Sequence, residues 1–247
     1  EMSASLVGSE MCIRDRRNFM NMTYLHHSGF QIETKQSVLL FDYYTQNGMF
    51  DRVNEGDFPH KKFYIFVTHG HGDHYDPAIL RWADRAHYIL SDDVELPKDF
   101  KGEVTWVKPH QKLTVDDLEI ETLASNDQGV AFVVKVAGKR TVFHAGDLNW
   151  WHWNGESDEF NNDIADSYRR EIDLLKGREI DVACVPADPR LQDKYDWAVD
   201  YFMERVGAKV LLPMHFWKHF DICEKLRQKP YGAHVALIRR EGDTFII

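Results

Sequence analysis

Three histidines and an aspartate fall within six positions, His69-x-His71-x-Asp73-His74. Imidazole and carboxylate suit zinc and its borderline neighbours, and three or four such ligands with one position left open make a catalytic rather than a structural site. His69 and His71, two apart on extended chain, point to the same side and can grip one ion. Asp73 and His74 come after the turn and can face a second ion, about 3.5 to 4 Å from the first in two-metal hydrolases. The alternative is a His-rich surface turn with fortuitous metal affinity, and the packing of these residue types directly behind a strand weighs against it.

The element that positions them is the apolar run Phe63-Tyr64-Ile65-Phe66-Val67, which reads as a buried strand. Gly70 and Gly72 let the backbone turn sharply where it ends. Asp76 and Pro77 then look like the N-cap and first position of a helix through Ala78-Ile79-Leu80-Arg81-Trp82. A second strand, Arg140-Thr141-Val142-Phe143-His144, is hairpin-linked to Val130-Ala131-Phe132-Val133-Val134-Lys135-Val136 and runs out into Ala145-Gly146-Asp147. A carboxylate buried at such a tip needs a cation or a turn to cap. Another strand, Lys209-Val210-Leu211-Leu212, leads into Pro213-Met214-His215.

Around these lie an opening hairpin formed by Thr23-Tyr24-Leu25-His26 and Val38-Leu39-Leu40-Phe41, and a closing hairpin of 235–238 with 244–247. A charged helix covers 158–176 and stops at Gly177. A strand at 180–185 precedes a helix from Trp197 to Val206. His26 and His27 are candidate ligands, but the metal set is nearly complete without them and a packed or supporting histidine on an edge strand is the favoured reading; Asp42 and His144 read as supports for the site, Asp188 as a turn residue before Pro189 that faces the active edge if the fold is as expected, and Cys184 as core. The run Trp150-Trp151-His152-Trp153 admits two readings, a wall for an apolar or planar substrate and core beneath a long loop.

The segment Thr68-His69-Gly70-His71-Gly72-Asp73-His74 resembles the His-x-His-x-Asp-His motif of the metallo-β-lactamase superfamily. The resemblance extends from Tyr24-Leu25-His26-His27-Ser28-Gly29-Phe30 through His144-Ala145-Gly146-Asp147 to Pro213-Met214-His215-Phe216. It is closest to small single-domain, lactonase-like hydrolases. It implies a four-layer αββα sandwich with two metals on one edge. His69 and His71 would hold one ion, Asp73, His74 and His215 the other, and Asp147 would bridge. The family usually supplies a third histidine to the first ion near 124–130, where this chain has none; Ser125 or Asp127 is left to substitute, Asp127 being the better ligand, or only shaping the turn before Gly129. Two divalent ions are expected, zinc first, with manganese or iron favoured by a carboxylate ligand. Such ions lower the pKa of a shared water toward 7, and Asp73 can orient it as the catalytic carboxylate. The implied activity is hydrolysis of a small ester or lactone, then a phosphodiester. The rivals are a non-catalytic metal-binding protein and the di-iron oxidoreductase branch, which places a carboxylate where His71 stands and adds a flavin module.

The chain has 247 residues, 43% of them apolar, and a net charge of -10. That length suits one domain, and the acidity argues against a partner bound through nucleic-acid phosphates. No apolar run approaches the roughly 20 residues that span a membrane. Its 3 cysteines imply no disulfide framework and a reducing, cytoplasmic setting. A small-molecule substrate is the partner expected. Residues 1–20 show no strand or helix period, and 6–16 resemble translated sequencing-adapter read-through; they are expected to be a non-native or disordered leader before a metallo-β-lactamase-like domain at 21–247.

Overall fold

The computed structural model describes residues 20–136 and 138–247, so the expected leader lies outside the described residues except for Met20, which is buried in the core. Two mixed sheets face one another. The first has strands β1 (Asn21–His26), β2 (Gly29–Glu33), β3 (Ser37–Phe41), β4 (Lys62–Val67), β5 (Ala86–Ser91), β6 (Glu103–Val107) and β13 (Thr244–Ile246), in the order β13-β1-β2-β3-β4-β5-β6. The second has β7 (Lys112–Val115), β8 (Leu118–Ala124), β9 (Val130–Val136), β10 (Arg140–His144), β11 (Val182–Pro186) and β12 (Val210–Met214), in the order β12-β11-β10-β9-β8-β7. β3 to β6 run parallel, as do β10 to β12. Ligands in open α/β sheets gather outside the carboxyl ends of parallel strands, and the candidate residues follow the carboxyl ends of β4, β10, β11 and β12.

Alternation along β3 and β4 assigns the faces. Leu39, Phe41, Tyr64 and Phe66 point into the main core between the sheets, while Val38, Leu40, Phe63, Ile65 and Val67 form a second cluster on the outer side. Phe132 of β9 meets Phe66 edge-on at 5.2 Å, which locks the two sheets together. The second sheet is covered by α1 (Asp158–Asp173) and α2 (Trp197–Arg205), whose buried Tyr168, Ile172 and Phe202 join the same core. A further short helix, α3, spans Asp221–Leu226. The first sheet is covered by the turn expected after the metal loop, which forms as a 3-10 helix, Pro77–Trp82, with Asp76 capping Ala78 N–H and Ile79 and Trp82 buried. Among the described residues no helix is long and apolar enough to cross a membrane.

Two strand pairings differ from expectation. The opening pair is separated by β2, so β1, β2 and β3 make an antiparallel meander instead of a hairpin. The closing hairpin does not form: β13 pairs with β1, and Val235 makes only a single bridge to Leu211. Apolar patterning marks a strand but does not name its neighbour.

Asp181 ties the start of the parallel trio in the second sheet. Its carboxylate accepts from Thr141 N–H at 2.9 Å, Lys209 Nζ at 2.9 Å and Arg140 Nη1 at 3.1 Å. Burial alone would raise its pKa, but Lys209, Thr141 N–H and Arg140 hold it below the usual carboxylate range. Stability linked to a depressed carboxyl pKa is present above the unfolded value and fades as pH falls through the folded one. Asp181→Asn is therefore expected to cost about 1 to 2 kcal/mol at pH 7, with the penalty shrinking below about pH 4. Urea melts of both proteins at pH 7 and pH 3.5 check this, and a pH-independent gap would contradict it.

Candidate metal centre

The loop after β4 is anchored before its histidines are aimed. Asp42, at the end of β3, accepts from Thr68 N–H at 2.8 Å and from Thr68 Oγ1 at 2.7 Å. It also takes the Nδ1–H of His74, 2.7 Å away, because a carboxylate can only accept there. Thr68 Oγ1, having given its hydrogen to Asp42, receives His69 Nδ1–H at 3.0 Å. His74 N–H and Tyr75 N–H both reach the His71 carbonyl, closing the turn that sets Asp73 beside His74. Gly129, at φ +67°, lies so close to Thr68 that a Cβ would sit 2.0 Å from its carbonyl oxygen, and Val130 N–H bonds that same oxygen. Only glycine lets the β8–β9 loop approach the metal loop this closely.

His215 follows β12 in the left-handed region, φ 62°, and its Nδ1–H bonds Asp188 Oδ2 at 2.8 Å. Asp188, after β11, caps Arg190 N–H as the turn reading expected, but it also orients a histidine of the site. His27, at φ 58° in the β1–β2 turn, places Nε2 3.2 Å from Asp73 Oδ2, and its carbonyl receives His215 N–H. His144 is spent on structure: its Nε2–H donates to Ser28 O and its Nδ1 accepts from Gly146 N–H.

Two groups of ligand atoms result. His27, Asp73, His74 and His215 form one, and His69, His71 and Asp147 the other, with the atoms in each group within 4.8 Å of one another. Asp147 stands between them. Its Oδ1 is 3.1 Å from His74 Nε2 and 3.3 Å from His215 Nε2, and its Oδ2 is 3.6 Å from His69 Nε2. Asp127 lies at the rim, half-exposed, 3.9 Å from His71 Nδ1 and outside both groups.

The residues fit a cation. His27, His69, His74 and His215 each turn a buried Nε2 inward with no hydrogen-bond partner, as does Asp147 Oδ1. Buried polar atoms are ordinarily satisfied, and the outer hydrogen bonds of His69, His74 and His215 are made through Nδ1, which leaves Nε2 as the atom each turns to an incoming ion. The charges agree. Burial and His215 hold His27 down to about 3, and burial and His74 hold His69 down to about 4, so neither offsets the carboxylates. Burial would raise Asp147, but His74 and His215 hold it well below the usual range; burial would likewise raise Asp73, but the close approach of His27 and the charge of His74 outweigh it. Burial would lower His74, yet Asp147 and Asp42 on either side keep it raised. Asp127 is raised, by burial and then by Asp147. A divalent ion would answer that excess of negative charge and would take the place of a proton on His74.

A cavity of about 320 Å³ opens over both groups, floored by His71, Asp73, Asp127, Asp147 and His215. The aromatic run after Asp147 divides. Trp151 and Trp153 stand on the cavity wall, nearly parallel at 3° and 5.8 Å apart, with Trp151 Nε1–H held by Asp147 O. Trp150 turns away to pack among Tyr168, Trp197 and Tyr201, and His152 sits against Trp197. Sequence reasoning weighed His27 as a ligand and set it aside for a packed or supporting role, whereas the structure places it in the converging set; it missed Arg190 on the cavity wall. The signals for His27 were its place beside another histidine at a strand end and within the first segment of the family resemblance, and only strand order brings it to Asp73. Cys184 is core, its thiol pushed up by burial.

Comparison with known proteins agrees with this architecture. A UPF0173 metal-dependent hydrolase of Alkaliphilus metalliredigens (strain QYMF) is 27% identical over 219 residues, covering 80% of this chain and 85% of its own. Igni18, a metallo hydrolase of the archaeon Ignicoccus hospitalis, superposes with a TM-score of 0.64 at 17% identity, covering 93% of this chain and 99% of its own. The metallo-beta-lactamase fold protein YhfI of Bacillus subtilis superposes at 0.63 with 16% identity over the same shares. The model of the beta-lactamase superfamily domain matches residues 21–215, from the start of β1 to the last of the converging histidines, and the chain belongs to that family.

Proposed function

We propose that this chain is a metal-dependent hydrolase of a small ester or lactone, with a phosphodiester as the second substrate class. The observation that carries this is the set of four inward Nε2 atoms and one carboxylate oxygen without protein partners, opening on a small cavity. The name of the Alkaliphilus relative, a metal-dependent hydrolase, supports the same reading. His69, His71 and Asp147 would hold one divalent ion and His27, Asp73, His74 and His215 a second, Asp147 reaching both. Asp127 is the carboxylate assigned to the open side of the first ion, in the place of a third histidine. Nitrogen and oxygen donors without thiolate suit zinc, manganese or iron.

Bound there, such ions supply Lewis-acid polarisation of the scissile group and acidify water. The chain's own contribution is orientation and charge. Asp73, kept ionised, faces the cavity and accepts a hydrogen bond from attacking water, which sets its direction. Asp42, Thr68 and Asp188 hold Nδ1 of His74, His69 and His215, so the Nε2 atoms of these three are aimed without rearrangement. Trp151 and Trp153 exclude water from one side.

Elemental mass spectrometry of the reloaded protein is expected to give two ions per chain, with one lost in His27→Ala and the first ion weakened in Asp127→Ala. Turnover should appear on a panel of esters, lactones and phosphodiesters. Both ions held at unchanged affinity in Asp127→Ala would remove Asp127 from the set, and stoichiometric metal with no turnover would reduce the role to metal binding.

A further inference from the structure

Among the described residues lining the cavity, Arg190 is the one side chain with a permanent positive charge. One edge of its guanidinium, Nε and Nη2, is bound to Asp188, the carboxylate that also holds His215. None of the hydrogen bonds that Arg190 makes among the described residues uses Nη1, and the side chain is 52% exposed. The guanidinium lies 5.8 Å from the Trp151 ring and 5.7 Å from the Trp153 ring. Phe160, in the first turn of α1, stands on the same wall and is 42% exposed, an unusual place for a phenylalanine unless something apolar covers it. A role confined to clamping Asp188 would need one edge of the guanidinium only. The other edge is a planar pair of donors beside an aromatic surface, the arrangement that recognises oxyanions.

We propose that the substrate carries an oxyanion, a carboxylate or a phosphate, separate from the bond that is cleaved and joined to a flat apolar body; Arg190 Nη1 receives the oxyanion, and Trp151, Trp153 and Phe160 cover the body. This rests on the hydrolase reading for the bond cleaved, and on the cavity alone for the ligand. A volume of about 320 Å³ is at the small end for ligand pockets and sets the size to a single small molecule. Asp73, Asp127 and Asp147 face the same space, so an anion is repelled until divalent ions are bound.

The test is calorimetric binding to metal-loaded protein of 2-naphthoate, 2-naphthylphosphonate and neutral 2-naphthamide. At least one anion is expected to bind about tenfold or more tightly than the amide, the size of one charge-assisted hydrogen bond, and the tighter anion names the group. Arg190→Met should abolish that preference, and Trp153→Ala should weaken all three ligands by a similar factor. Anions no tighter than the amide, or a preference that survives in Arg190→Met, would overturn the proposal; the second result would mean that the metals alone receive the anion. Should Arg190→Met lose metal or melt early, Arg190→Lys keeps a cation on Asp188 while removing the free edge, and an undiminished preference there overturns it equally. Binding and turnover separate the two readings: an Arg190-dependent preference with no ester, lactone or phosphodiester cleaved would sink the hydrolase and leave the anion site standing.

Discussion

Asp147→Asn is expected to remove at least one metal ion per chain and to lower hydrolysis by about a thousandfold or more, while the metal-free protein keeps its fold. Asparagine has the shape of aspartate but not its charge, and Asp147 is, among the described residues, the one carboxylate within 3.6 Å of histidines from both ligand groups. Losing a ligand that serves both ions forfeits several kcal/mol of transition-state charge stabilisation, and about 1.4 kcal/mol is a factor of ten in rate. Elemental analysis, turnover and circular dichroism on the same preparation read the three parts. Stoichiometric metal with full turnover in the variant would refute the proposed centre.

The second large effect is at Asp42, which touches no substrate. It is fully buried and accepts from Thr68 N–H, Thr68 Oγ1 and His74 Nδ1. Asp42→Ala strands three donors, so the metal-free protein should lose about 3 to 5 kcal/mol of stability and metal affinity should fall by about 10 to 100-fold. Asp42→Asn should separate these losses. Its amide oxygen can still accept from Thr68 N–H, but its NH₂ faces His74 Nδ1 and favours the tautomer that carries the proton on Nε2, where an ion must sit. Stability should be partly restored and metal affinity should not. Denaturant melts without metal and chelator competition with it measure the two; equal recovery of both would mean that Asp42 acts through packing rather than through the tautomer.

Much of the centre was legible because its information is local. His69, His71, Asp73 and His74 share one loop, and the apolar run Phe63–Val67 before them declares a strand end without reference to the rest of the chain. Asp76 and Pro77 announced a helical turn, which formed, although as a 3-10 helix. The resemblance to a known family added Asp147 and His215, which the structure brings within 3.3 Å of one another.

What the sequence alone determined was therefore the strand ends and a His-Asp loop of metal-ligating residue types, since these depend on residue type and on spacing within one segment. Tertiary structure alone decided that His27 faces Asp73, that Asp42 and Asp188 fix the histidine tautomers, that Trp151 and Trp153 line the cavity while Trp150 packs inside, and that β13 closes on β1. Apart from the Trp151–Trp153 stacking, those contacts join residues from different segments of the chain, and strand order, which brings them together, is set by how two whole sheets bury their apolar faces rather than by any local pattern.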